Sequence, residues 1–153
     1  MIYIIILIAL IGLDQYTKFL AYENLRMNSN KVLIDKFLEL AYVENRGAAF
    51  GILQGKSILF IIITLVVCFF IFSFFIKNYH TTGVVLKLSL VLMAAGAIGN
   101  LIDRIMRGFV VDFIFVRFWG YYDFPVFNIA DICVVVGSIL LVIVIIYTNE
   151  LGE

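Results

Sequence analysis

The side chains that could do chemistry in this chain are few and gathered. Asp14 precedes Lys18 by one helical turn, acid first, a spacing at which the two pair along one helix face. Asn100, Asp103 and Arg107 share one stripe of a helix, with Arg104 beside them. They follow the small-residue run Ala94-Ala95-Gly96-Ala97-Ile98-Gly99, which lets a neighbouring helix come close. Asp112 comes after Gly108, a residue placed to end that helix. Asn128 and Asp131 repeat the Asn-x-x-Asp spacing of Asn100 and Asp103. Asp103 reads first as half of an ion pair with Arg104 and Arg107, and Asp14 reads the same way through Lys18. Asp112 and Asp131 have no basic residue at helical spacing and stand as the unpaired carboxylates. An Asp at the middle of a membrane span costs ~2.5–3.5 kcal/mol, so such groups beside apolar helices call for a use or a partner.

Two carboxylates in one site support two chemistries. Like charges a few ångströms apart cannot both ionise. One then acts as a base on water while the other protonates a carbonyl or a leaving amine, as in an aspartic peptidase. Paired intramembrane acids also serve cation or proton transport, which favours acids near the bilayer midplane on broken helices; these cluster at one edge. A membrane scaffold without enzymatic activity is the third reading. By the Asn-x-x-Asp symmetry alone, Asp103 pairs with Asp131 as readily as Asp112 does. His80, the one histidine, lies in the short polar connection 77–82 on the opposite face, which removes a Ser-His-Asp triad and a His-bearing zinc site. Cys68 and Cys133 sit in separate apolar runs and read as small buried thiols. Neither a metal nor a cofactor is expected. Asp123, in a loop between aromatics, reads as solvated.

The elements that must hold these groups are set by an apolar excess. The chain of 153 residues is 64% hydrophobic and 14% charged, against ~45–50% and ~25% in soluble domains, which excludes an ordinary soluble fold. Eleven basic and eleven acidic residues cancel, so nothing speaks for nucleic acid. Four runs read as membrane helices, spanning about 1–20, 57–76, 83–106 and 130–148. The first lacks a basic leader and carries Asp14, so it reads as a retained helix rather than a cleaved signal peptide. Four spans put both termini on one side and both long connections on the other. The first connection holds the β-prone run 38–43 followed by the turn signal Asn45-Arg46-Gly47, a β-rich cradle over about 31–54. The second, 107–127, is rich in Val, Phe, Tyr and Trp, as suits strands or a platform at the headgroup level. The expected architecture is a membrane all-α bundle of four helices, with a β-rich cradle and a second loop on one face, as a single integral membrane domain. Arg26, Lys31, Lys36, Arg46, Lys56, Arg107 and Arg117 lie on that face against Lys77 and Lys87 opposite, so the positive-inside rule puts it in the cytoplasm.

Five motifs occur in order: Asp14-Gln15-x-x-Lys18, Asn45-x-Gly47-Ala48-Ala49-Phe50, Gly99-Asn100-x-x-Asp103-Arg104, Val110-Val111-Asp112-Phe113 and Phe127-Asn128-x-Ala130-Asp131. Together they resemble the lipoprotein signal peptidases, bacterial signal peptidase II, over essentially the whole chain. The resemblance implies an aspartic endopeptidase of the bacterial cytoplasmic membrane. Such an enzyme removes the signal peptide from diacylglyceryl-modified prolipoproteins, cutting just before the lipidated cysteine. It implies Asp112 and Asp131 as the catalytic pair, Asn100, Arg104 and Asn128 as groups that orient the pair and bind substrate backbone, and Asn45 as a peptide contact across the cleft. Asp14, Lys18 and Asp103 become structural supports. The second connection becomes a flap or strap lined by Phe115, Trp119 and Tyr121. Prolipoproteins and membrane lipid are the implied partners, and a monomer is expected. The resemblance also places the termini in the cytoplasm and the site on the outer face, against the charge count. Glu150 and Glu153 stand where a basic C-terminal flank is expected.

Overall fold

The computed structural model describes residues 1–47, 54–118 and 121–150, with side chains to residue 147. Its elements run α1 (Ile2–Leu25), β1 (Lys31–Ile34), β2 (Leu38–Asn45), α2 (Ser57–Lys77), α3 (Val84–Arg107), β3 (Val110–Phe118), β4 (Tyr122–Asp123) and α4 (Ile129–Glu150). All four helices are long and apolar enough to cross a membrane. Twenty-one residues of α2 rise about 30 Å, the thickness of the hydrocarbon. Ala48, Ala49 and Phe50 of the second motif, the end of the expected cradle and Trp119 lie outside the described residues.

Helix α3 is the centre of the bundle, packing on α1, α2 and α4. Small residues make its contact with α4 close. A Cβ on Gly96 would overlap the Ala130 carbonyl, and one on Gly137 would stand 2.8 Å from Met93 and 2.9 Å from the Ser89 carbonyl. Ser89 Oγ donates to the Gly137 carbonyl at 2.8 Å, so a polar group inside the bundle is satisfied by the backbone that the glycine exposes. Large side chains turn outward instead, as Ile62, Phe69 and Phe70 do on α2 and Val135, Ile139 and Val142 on α4. That is the arrangement of a bundle solvated by lipid.

The two long connections form one antiparallel sheet in the order β1-β2-β3-β4. The second connection is therefore no separate flap. β3 supplies an inner strand of the sheet, and Phe115 pairs within it opposite Glu39. Tyr121 is 95% exposed at the turn before β4. Asp123 is not simply solvated, because its carboxylate pairs with Arg117 Nε at 2.8 Å while Arg117 Nη1 reaches Glu39 at 3.2 Å. The sheet seats on the end of α1 through Ala21, Leu25, Val111 and Phe113, with Leu40 and Tyr42 packed against them. Gly108 ends α3 in the left-handed conformation (φ 79°), its N–H donating to the Arg104 carbonyl at 3.1 Å. Only Gly108 and Phe109 separate α3 from β3. Downstream, Phe127 pairs back onto β3, exchanging hydrogen bonds with Ile114 at 2.8 and 3.0 Å, and this sets the start of α4 beside the strand.

Candidate active site

Asp112 lies on β3 opposite Val43, and Asn45 is two residues further along β2 on the same face. Asn45 Nδ2 donates to Asp112 Oδ2 at 2.9 Å. Its Oδ1 accepts the Gly47 N–H at 3.0 Å, so the turn closing β2 dictates which way the amide points. Asn128 Nδ2 donates to the other carboxylate oxygen at 2.6 Å. Asp112 is 2% exposed.

Asp131 occupies the first turn of α4. Asn128 caps this helix: its Oδ1 accepts the Asp131 N–H at 2.9 Å, and Asp131 Oδ2 accepts the Asn128 N–H at 3.1 Å. This is a reciprocal capping box built from Asn and Asp. Asp131 Oδ1 accepts from Asn100 Nδ2 at 2.8 Å. The two Asn-x-x-Asp segments are thus unlike: one is a helix cap, the other lies in mid-helix on α3. Two side-chain amides, those of Asn100 and Asn128, join the carboxylates, and Asn128 Nδ2 also lies 3.2 Å from Asn100 Oδ1. Among the described residues neither Asp112 nor Asp131 forms an ion pair.

Asp103 takes no place beside them. Its Oδ2 accepts the Val111 N–H at 3.1 Å and sits 3.1 Å from Lys18 Nζ, while its other oxygen pairs with Arg107. Arg104 is not its partner. That guanidinium lies 4.9 Å over the Phe60 ring and donates to the Gly47 carbonyl at 3.3 Å. Lys18, fully buried, gives its three donors to Asp14 Oδ2 at 2.9 Å, to Asp103 and to Asn100 Oδ1 at 2.9 Å. Asp14 Oδ1 accepts the Ala130 N–H at 2.9 Å, satisfying another free donor at the start of α4. One ammonium therefore ties α1, α3 and, through Asp14, the first turn of α4.

Spacing within one helix revealed the Asp14–Lys18 and Asp103–Arg107 pairs. It could not reveal that Lys18 reaches α3, nor that Phe60 and the Gly47 carbonyl receive Arg104. Gln15 also proves part of the seam, donating to Asp14 Oδ2 at 3.1 Å and to the Gly99 carbonyl at 3.0 Å.

The electrostatics separate the groups further. Burial, and then the neighbouring Asp131 carboxylate, push Asp112 up to about 7, against the opposing pull of its Asn45 and Asn128 hydrogen bonds and the Lys18 charge. A carboxyl so placed exchanges a proton near neutral pH. Such a pair can activate water and protonate a carbonyl without a metal ion.

Known proteins match this chain in sequence and in fold. The family model described as signal peptidase (SPase) II matches residues 6–147. A lipoprotein signal peptidase of Clostridium tetani is 48% identical over 143 residues, 94% of this chain and 91% of that protein. That of Halothermothrix orenii is 42% identical over 153 residues, the full length of both chains. A solved structure described as a bacterial membrane enzyme superposes with a TM-score of 0.89 at 37% identity, covering 99% of this chain and 91% of the other. A second, also a bacterial membrane enzyme, gives 0.82 at 39% identity, covering 94% and 91%. With sequence and fold matching over nearly the whole length, the chain belongs to the signal peptidase II family, a family of membrane proteases.

Proposed function

We propose that this protein is an aspartic endopeptidase that removes the signal peptide from diacylglyceryl-modified prolipoproteins, cutting before the lipidated cysteine with Asp112 and Asp131 as its catalytic pair. The observation that carries the reading is the amide bridge. Asn128 donates to Asp112 and caps Asp131, in a membrane protein whose other buried aspartates, Asp14 and Asp103, are neutralised by cations.

In this mechanism Asp112 carries the shared proton at rest. Asp131, in the first turn of α4 where the helix end favours negative charge, takes a proton from water as its oxygen attacks the scissile carbonyl carbon. Asp112 gives its proton to the carbonyl oxygen, leaving a neutral gem-diol. Asp131 then protonates the leaving amine as the C–N bond breaks, and a diol proton returns to Asp112. Asn100 and Asn128 hold the pair, Asn45 orients Asp112 from across the sheet, and Arg104 presents its remaining donors to substrate backbone. Asp14, Lys18 and Asp103 brace the frame. Transport finds less support, because Asp112 is on a strand and Asp131 at a helix start, both at the sheet end of the bundle rather than on a broken helix.

The sheet and site face outward from the cytoplasmic membrane, with both termini in the cytoplasm. Three of the seven basic residues that argue otherwise, Arg46, Arg107 and Arg117, are held in ion pairs, and two more, Lys31 in β1 and Lys36 in the turn before β2, belong to a folded sheet rather than a free loop. The protein works as a monomer, alone with its lipid-borne substrate.

Incubating the purified protein with a lipidated precursor and following the mass of the product tests the activity. Release of the signal peptide with a product beginning at the lipidated cysteine is expected. An intact precursor with folded enzyme would overturn the reading. A cysteine introduced at Lys36 should react with an impermeant maleimide in intact cells; protection until lysis would reverse the topology.

A further inference from the structure

At the end of the bundle opposite the sheet, α1, α2 and α3 leave a cleft of about 260 Å³ with an entirely apolar lining. Its floor is Leu7, Ile71, Leu90 and Ala94, and Tyr3 and Phe75 stand at its rim. Leu90 and Ala94 lie six and ten residues into α3, so the cleft runs from the helix ends roughly 15 Å towards mid-bilayer. It opens sideways past Ile4 and Ile76, which are 61% and 75% exposed. Such a narrow space, smaller than the ~300–1,000 Å³ of sites for drug-sized ligands, suits a single chain of methylenes and not another helix.

The rim is aromatic and basic. The Tyr3 and Tyr79 rings both contact Phe75, with centroids 5.7 and 5.6 Å away. Lys87 Nζ sits 4.6 Å from the Tyr79 centroid and 6.0 Å from that of Tyr3. Lys77 ends α2 at the same level. Among the described residues neither lysine has an ion-pair partner. The ligand that matches both parts is an amphiphile with an apolar chain and an anionic head.

We propose that this cleft is a binding site for an anionic phospholipid, one acyl chain lying between α1, α2 and α3 and the headgroup phosphate received by Lys87 over the Tyr3–Phe75–Tyr79 rim. A signal peptide is the rival occupant, but its basic leading region would meet Lys77 and Lys87 as like charges, whereas a phosphate completes them. The site does not depend on the proteolytic reading.

Native mass spectrometry of the detergent-purified protein with phosphatidylglycerol or phosphatidylcholine tests it. Wild type should retain phosphatidylglycerol preferentially, and Lys87→Gln should lower that preference about fivefold, the worth of one basic side chain at an anionic lipid surface. Lys87→Arg should keep it. Ile4→Trp, which fills the exposed mouth, should reduce retention of both lipids. Equal retention of the two lipids by wild type, or a preference unmoved by Lys87→Gln, would overturn the proposal. So would displacement of phosphatidylglycerol by a synthetic peptide with a basic start and an apolar run.

Discussion

The Lys18 ammonium donates to Asn100 Oδ1 at 2.9 Å, and by doing so it turns Asn100 Nδ2 towards Asp131. A buried cation on α1 thus decides the direction of an amide on α3. Replacing Lys18 by Met removes this constraint and leaves the Asp14 and Asp103 carboxylates buried without their shared cation. Breaking a buried pair in this way costs about 3–5 kcal/mol. The variant should show a large drop in thermal midpoint in detergent. Asp14→Asn combined with Lys18→Met should unfold later than Lys18→Met alone, since it removes one of the stranded charges.

Asp112→Asn and Asp131→Asn should each abolish cleavage of a lipidated precursor, a loss of at least about a hundredfold for an acid–base group. Asp112→Asn should shift the thermal midpoint little, because removing a carboxyl whose charge is disfavoured by burial offsets the loss of one of the two amide hydrogen bonds it accepts. Asp103→Asn should behave in the opposite sense, with some turnover kept and stability lost through Lys18, Arg107 and the Val111 N–H. If Asp103→Asn alone were inactive with an unchanged midpoint, the catalytic pair would have to be reassigned.

The raised pKa of Asp112 gives a signed pH dependence. Between the unfolded carboxyl value, about 4, and the folded value of about 7 the native state holds a proton that the unfolded chain releases. The stability due to this group is full below about pH 4 and is lost as pH rises through 7. Thermal midpoints measured from pH 5 to 8 should therefore fall in wild type more than in Asp112→Asn. The rate should show an alkaline limb near the same pH, where the resting proton is lost.

Gly96→Ala should separate α3 from α4, since the new methyl group would strike the Ala130 carbonyl and stand 2.7 Å from Val134 Cγ2. Overpacking of this kind costs about 1–3 kcal/mol. It should also lower turnover, because Asn100 and Asp131 meet across that seam. Gly12→Ala, with open space around its Cβ, should change neither midpoint nor turnover.

Much of this could be read before the structure because local physics carried it. The charge-free stretch 57–76 had to be a span, and Gly108 had to stop α3. Other features depend on elements distant in sequence. Nothing near Lys18 announces Asp103 or Asn100, 85 and 82 residues away. Arg104 lies next to Asp103 in sequence, yet successive helical residues point about 100° apart, and Arg104 reaches Phe60 and Gly47 instead. The β-prone composition of 107–127 was visible, but its pairing with β2 was not, because strand register is settled by a partner some seventy residues away. The similarity of the two Asn-x-x-Asp segments conceals a difference for a related reason. A cap and a mid-helix stripe use the same letters and different backbone donors.

Asp103 accepts the N–H of Val111, the residue before Asp112, and only two residues lie between α3 and β3. The strand that bears Asp112 is thereby keyed to the helix that bears Asn100, like a gauge block clamped at one end. Val111 should consequently be among the slowest amides of β3 in hydrogen exchange; fast exchange there would break the inference. Among the described residues, β1 and β4 show no such bond to a helix, so their outer residues can diverge without shifting Asp112. The outer strands of the sheet can in this way vary in sequence while the Asp112 carboxylate keeps a single position relative to Asn100.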